Sequence, residues 1–487
     1  MEKTIEIQTY IEQLFTIKGV KIAEAKKKLF DEFVQEALNT QAVQTIIEQQ
    51  SALMDKWQLK NHIADIIAKP LIIPNATCGK SYQAQIKPEQ LDLDEMIFTE
   101  WKGLQEIGLH FNAEHRTIEG TPEQSGELKF SLLFKTAAED KDTPSHEKII
   151  SLVVNPDPKT LWKNLPSDRE GIFWKEDHVQ YFGKLGEKHV VASSDRGRSH
   201  QNAGSFRDDD MAFQHIESIG WSVAAVSDGA GSYSMSRKGA QIACTSVIDY
   251  FENQLDQETF QAFENKINQY NSTRDVNLLK EIDVLSKQNL YKAVLYVHNK
   301  IKETAEQTRQ SDPAQFQNPR IKNPIDYFHA TLIFTLFKKY EFGYVVLSFG
   351  VGDCPIAIMN TEQTETTLLN WLDVGEFGGG TRFITQADIF HSKEHPMASR
   401  FNFKIYPDFS YLFMMTDGIY DPKFVVEANL EKHENWITFL EDLKGQNEEN
   451  TPVELSARNP EITQQLSRWM EFWSTGNHDD RTLAIIF

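Results

Sequence analysis

Four aspartates between positions 210 and 479 constrain this chain more than any other feature, because each sits beside a short apolar run and a tight turn. They are Asp210 in FRDDDMAF, Asp228 in WSVAAVSDGAGS, Asp417 in YLFMMTDGIYD and Asp479 in NHDDRTLAIIF. A carboxylate at the end of a buried strand is costly unless its charge is offset. A cluster of divalent cations shared among hard oxygen donors is the usual offset. A single Asp-Gly turn is common in any loop. Several in order along the chain predict a fold that gathers distant strand ends, and a metal enzyme.

The 487 residues are 40% apolar and 11% aromatic, enough to bury a large core and to divide into two or three domains. With 71 acidic against 50 basic residues the net charge is −21 and no dense Lys/Arg block occurs, which excludes nucleic acid as the expected ligand. Cys78, Cys244 and Cys354 share no metal or redox spacing and read as reduced thiols, as in a cytoplasmic protein. The start, MEKTIEIQTYIEQLF, lacks a signal-peptide core, and no run of 18 apolar residues is present, so no membrane partner is expected.

Residues 1–72 carry apolar positions at helical spacing, including Ile11, Leu14, Phe15 and Ile22, and read as a helical module. Pro74 and Gly79 break that period. Within 80–157 the alternating runs LKFSLLFK and KIISLVVN predict strands of a small β-sandwich. The run FNAEHRTIEGTPEQSGELKFSLLFK resembles immunoglobulin-like modules of bacterial proteins, which implies spacing or docking. NPDPKTLWKNLPSDREGIFW reads as a linker. From 187 to 487 strands and helices mix. KHVVASSDRG, GWSVAAVSDG, HATLIFTLFKK, EFGYVVLSFGVGD, YLFMMTDG and RTLAIIF read as strands, several of them apolar throughout. SMSRKGAQIACTSVIDYFENQL carries an apolar helical stripe of Ile242, Cys244, Val247, Ile248 and Phe251 after a Ser-rich start suited to capping. Residues 275–308 repeat helical periodicity, and TRQSDPAQFQNPRIKNP, with three prolines, predicts an exposed loop.

The ordered set SDRG-x-x-H…DDDMAF, VSDGAGS, HATLIFTLF, FGVGDC, MTDGIYD and NHDDRTLAIIF resembles the motifs of the type 2C metal-dependent serine/threonine protein phosphatases, in particular a bacterial subgroup with GEF…TRFIT, here Gly375 to Thr385. The resemblance implies an α+β catalytic domain built as a four-layer α/β/β/α sandwich of two antiparallel sheets. It implies two Mn²⁺ or Mg²⁺ ions, with a third at a weaker site. Carried over by position, Asp228 bridges the pair, the Gly229 carbonyl completes the second site, and Asp417 and Asp479 hold the first. Asp210, with Asp209 in the family's Glu position, serves the second metal, and Asp353 matches the third. Such cations lower the pKa of a bridging water, so that hydroxide attacks phosphorus without a covalent phosphoenzyme. The implied partners are a phosphorylated protein substrate and a cognate serine/threonine kinase or its target.

The chain departs from the family at three places. His200 stands where an Arg often grips the phosphate, leaving His200, Arg198 and Arg207 as alternatives. Ala230 follows the first Asp-Gly where some members have His, leaving a metal-bound water or His200 as the acid. DDD replaces a Glu-Asp pair and shortens one carboxylate arm. These departures also sustain a second reading, a catalytically silent adaptor that binds a protein partner; a third is that the centre cleaves another phosphate ester. HSKEH, from His391 to His395, matches a zinc-protease pattern, but Pro396 follows at once and a turn is expected. GEFGGGT lacks the Lys of a nucleotide loop and reads as a flap beside the metals.

Overall fold

The structure is a computed structural model that describes residues 2–87, 96–139, 142–373, 380–393, 396–474 and 476–487. Most of GEFGGGT and the Glu394-His395 end of HSKEH therefore lie outside the described residues. The chain forms two compact units, Met1–Leu161 and Trp162–Phe487. Among the described residues, no helix is long and apolar enough to cross a membrane.

In the first unit, helices Glu2–Ile17, Lys27–Gln35 and Ala37–Ala68 share a small core of Ile11, Phe30, Val34 and Val43. Ile66, near the end of the third helix, belongs instead to the core of two small sheets. One sheet has four strands and the other three. Period-two alternation decides what they bury: Phe130, Leu132 and Phe134 on Gly126–Thr136, and Ile150, Leu152 and Val154 on His146–Asn155. Lys148 occupies the same inward register. Its Nζ donates to Ile66 O at 2.9 Å, to Ile67 O at 3.0 Å and to Lys69 O, supplying donors to carbonyls that a helix end leaves unmatched. Lys148→Met strands those carbonyls and is expected to cost this unit about 1–3 kcal/mol, seen as a lowered melting transition by circular dichroism.

The second unit is built on two antiparallel sheets. The first runs in the order β3-β4-β5-β6-β9, from Asp210–Ile216 (β3), Trp221–Ser227 (β4), Leu332–Tyr340 (β5), Gly343–Val351 (β6) and Phe401–Tyr406 (β9). The second runs β8-β7-β10-β11-β2-β1, from His178–Leu185 (β1), Lys188–Asp195 (β2), Ile356–Met359 (β7), Thr366–Leu368 (β8), Tyr411–Met415 (β10) and Arg481–Ile486 (β11). Because both faces of these strands are covered, successive side chains enter different cores. On β4, Val223 and Ala225 pack with helices Ser236–Asp249 (α2), Gln257–Thr273 (α3) and Leu278–Ser311 (α4), whereas Ala224 and Val226 face the other sheet. On β11, Leu483 and Ile485 pack under Asp417–Phe424 (α5), His433–Leu443 (α6) and Ile462–Met470 (α7), whereas Ala484 and Ile486 face inward. This is the four-layer α/β/β/α sandwich.

One local expectation changes. The Ser-rich start of α2 makes no side-chain cap: Met235 holds the cap position, and the Ser236 hydroxyl donates to Tyr233 O. The Pro-rich segment 308–324 runs along the surface after its first residues close α4, with a short turn at Pro313–Phe316. Just beyond it, the turn Pro324–Phe328 buries Tyr327 and Phe328 in the α2–α4 core.

Candidate metal centre

The acidic residues arrive from both sheets at one end of the sandwich. Asp228 follows β4, where its backbone N–H donates to Thr331 Oγ1 at 2.9 Å and its carbonyl accepts from Thr331 N at 2.8 Å. Asp417 opens α5, directly after β10. Asp353 lies beyond β6, with Oδ2 accepting from Thr381 Oγ1 at 2.8 Å and Oδ1 buried without a partner. Ligand atoms of Asp228, Asp353 and Cys354 come within 4.8 Å of one another, as do those of His200, Asp479 and Asp480. Cys354 is a poor donor there, because burial pushes its thiol well above the ordinary range and keeps it protonated.

Glycine lets the loops meet closely. A Cβ on Gly229 would lie 2.6 Å from Asp208 O, one on Gly418 2.0 Å from Asp480 O, and one on Gly197 2.3 Å from the Asp479 carbonyl carbon. The glycines of the two Asp-Gly turns are thus needed for close backbone approach, not for a left-handed turn, since neither has a positive φ. Gly418→Ala is expected to force these loops apart and weaken Mn²⁺ binding about tenfold or more, read by calorimetry.

Strand alternation also sorts the three consecutive aspartates. Asp209, immediately before β3, turns between the sheets and accepts from Thr416 Oγ1 at 2.8 Å and Thr482 Oγ1 at 2.7 Å. Asp210 turns the opposite way and pairs with Lys175 Nζ at 2.8 Å. Asp210, expected to serve the second metal, thus has a buried lysine that offsets its charge. Asp208 keeps a buried Oδ1 without a partner. Its N–H donates to Asp480 Oδ2 at 2.5 Å, and Asp480 Oδ1 accepts from Gly197 N at 2.6 Å and lies 2.9 Å from His200 Nδ1.

Both arginines named as phosphate grips are committed elsewhere. Arg207 is buried and donates to Glu176 O, Ser194 Oγ and Asp209 O. Arg198 donates to Phe472 O and Glu471 O beyond the end of α7. His200 alone of the three faces the carboxylates, with Nε2 4.0 Å from both Asp208 and Asp479.

The electrostatics are those of crowded like charges. Burial raises Asp228 and Asp417 well above the carboxylate range, and the neighbouring carboxylates push them further. Burial and Asp480 raise Asp208 to about 7; burial and Asp480 do the same to Asp209 against the pull of its threonines. Asp353 and Asp479 are raised chiefly by burial. Burial opposes charge on both His200 and Asp480, but their mutual hydrogen bond and attraction hold the imidazolium up at about 9 and the carboxylate below its usual value. Sequence reasoning missed Asp208, Asp480, Thr416, Thr482 and Lys175. Counting in twos along β11 from Asp480 would have placed Thr482 on the same inward face.

The family model for Protein phosphatase 2C matches residues 196–471. The chain belongs to the protein phosphatase 2C family. Asp479, on the loop before β11, lies beyond the matched stretch but is brought to the same centre by the fold. Solved structures of this family share low identity with the chain. The serine/threonine phosphatase of S. agalactiae is 13% identical, with 63% of this chain and 99% of that one covered at a TM-score of 0.33. Stp1 from Staphylococcus aureus is 13% identical, with 64% and 98% covered at 0.33. The catalytic domain of PstP in complex with two manganese ions is 14% identical, with 63% and 98% covered at 0.33. The assignment rests on the family model and not on these overlaps. No curated protein sequence matches the chain.

Proposed function

We propose that this protein phosphatase 2C member hydrolyses phosphoserine and phosphothreonine in proteins, using divalent cations held by Asp228, the Gly229 carbonyl, Asp417 and Asp479, with Asp209 inside the same cage and Asp353 at its edge. One observation carries the reading: the strongest charges acting on Asp228 and Asp417 are all carboxylates, so these two buried groups face concentrated negative charge. The unpartnered oxygens of Asp208 and Asp353 and the all-oxygen donor set fit a hard cation. Mn²⁺ or Mg²⁺ bound there supplies an acidified water and screens the phosphoryl charge.

The protein's own groups do the rest. Asp480 accepts from His200 Nδ1 and holds its ring, leaving Nε2–H directed past Asp208 and Asp479. A charged imidazole in that place can bind a phosphoryl oxygen or protonate the leaving alkoxide. Thr416 and Thr482 fix Asp209 by two hydrogen bonds, so its orientation is set before substrate arrives. The first unit, with helices at 1–72 and an immunoglobulin-like sandwich at 80–157, recruits the phosphoprotein, and a cognate kinase or its target is the natural partner in a reducing cytoplasm.

Purified chain with Mn²⁺ is expected to hydrolyse para-nitrophenyl phosphate and a phosphothreonine peptide and to lose both activities in EDTA. Hydrolysis that persists in EDTA would overturn the proposal. The adaptor reading is favoured by one feature, the commitment of Arg198 and Arg207 to backbone carbonyls, which leaves His200 as the sole grip among the three. Mn²⁺ uptake without turnover of either substrate would select it.

A further inference from the structure

The strap Trp162–Asp177, which takes in most of the stretch read as a linker (155–174), is fastened along the loops that carry the metal centre. At its start the Trp162 ring lies 4.5 Å from the His478 ring, next to Asp479. Lys163 N donates to Asn202 Oδ1, and Leu165 N to Gln201 O, on the short helix that carries His200. Ile172 and Phe173 offer their carbonyls to Arg237, and Glu176 offers its own to Arg207. Phe173 takes a left-handed φ of 56°, uncommon for an aromatic residue, so the strap is bent against local preference where it approaches the acidic run.

Two residues after that bend stands Lys175. Its side chain is 9% exposed, and Nζ lies 2.5 Å from Asp209 O, 3.3 Å from Asp208 O, 2.8 Å from Asp210 Oδ2 and 3.3 Å from Arg237 O. A buried ammonium needs its donors matched, and here they converge on the carbonyls of Asp208 and Asp209, the Asp210 carboxylate and the first turn of α2. The strap lies outside the stretch that the family model matches.

We propose that Lys175 is a positioning residue of the metal centre: it clamps the Asp208 and Asp209 carbonyls and draws the Asp210 carboxylate away, so that Asp209 is the carboxylate delivered into the cation cage. The strap is then part of the active centre and not a passive tether. Its bracing of both the Asp209 and Asp479 loops joins two halves of the cage that arise from different sheets. This inference rests on reading the centre as a divalent-cation site.

The test compares full-length wild type, Lys175→Met and Lys175→Gln by Mn²⁺ calorimetry, with circular dichroism to confirm folding. Lys175→Met is expected to weaken Mn²⁺ binding at least tenfold and to lower kcat more than it raises KM. Lys175→Gln keeps a donor for the two aspartate carbonyls and is expected to recover part of the affinity. A merely structural lysine would lower the melting temperature of both variants and leave Mn²⁺ affinity at 10 °C unchanged, which would overturn the proposal. If Lys175→Met does not fold, the Gln variant decides, since wild-type affinity in it refutes the clamp. Failure of wild type itself to take up Mn²⁺ is a different result, and removes the cation site on which the proposal rests.

Discussion

Asp228→Asn is expected to lower kcat/KM for a phosphothreonine peptide by about 10³-fold or more at saturating Mn²⁺, with the fold retained. The carboxylate sits beyond the end of β4, pressed by Asp417, Asp209, Asp353 and Asp479, so the Asn variant relieves repulsion and does not create a cavity. What it removes is a charged oxygen that a pair of cations would share. A loss of about 4 kcal/mol in transition-state stabilisation, within the several kcal/mol that metal-assisted charge stabilisation supplies, corresponds to that factor. The melting temperature in EDTA should rise or stay level, because an amide cannot acquire the charge that burial and the neighbouring carboxylates disfavour at this position. A variant that keeps activity within tenfold, or one that loses activity only through unfolding, would contradict this role for Asp228.

The second large effect concerns stability and pH. In EDTA the second unit is expected to lose stability as pH rises from about 5 to about 9. Asp208 and Asp209 are held near 7 in the folded protein, against an unfolded value of about 3.9, and His200 is held near 9 against about 6.5. The folded state therefore binds more protons than the unfolded state across this window, so its stability must fall as protons leave. The aspartate contribution fades as pH passes through about 7, and the histidine contribution as it approaches 9. Asp480, depressed by its pairing with His200, works in the opposite sense, but its loss lies at acid pH outside the window. Cations replace the protons. Mn²⁺ at about 100 times its dissociation constant should add about 2.7 kcal/mol, or about 4 °C in melting temperature for a unit of this size, and one fixed Mn²⁺ concentration should stabilise more at pH 8 than at pH 5.5. Scanning calorimetry that finds the EDTA form equally stable across this range would show that the acidic cluster is not repulsive.

Most of the catalytic sandwich could be read from the chain because its central strands are apolar on both faces. KHVVASSD, WSVAAVS, LIFTLFKKY, GYVVLSFGV, YLFMM and RTLAII supply period-two side chains to two cores at once, and nothing but a doubly covered sheet accommodates that. The strands at 178–185 and 366–368 were not legible, because at the sheet edge burial no longer dictates a pattern, and 356–359, buried inside the sheet, is too short to show one.

At the site, Asp228, Asp353, Asp417 and Asp479 stand out in the sequence through the turns that follow or precede apolar strands. The choice among Asp208, Asp209 and Asp210 does not, since all three share one local context. It is settled by Lys175, Thr416 and Thr482, which lie as much as 273 positions away. The partners of Arg198 and Arg207 were hidden for a similar reason. Guanidinium groups near an acidic motif suggest a phosphate grip, yet backbone carbonyls beyond α7 and beside β3 claim them first. Within the stretch read as a linker, 155–174, the fastening of its second half was not legible, because Pro and Asp content reports backbone preference, whereas ring contacts and buried donors hold that half in place.

If acidic groups from both sheets form one cage for hard cations, Mn²⁺ titrated into wild type and Asp417→Asn side by side in a calorimeter should separate the two proteins. Wild type is expected to take up two ions with micromolar to millimolar affinity, and the variant to lose at least one of them. No heat of binding in wild type, or identical stoichiometry and affinity in the two proteins, would rule out such a cage.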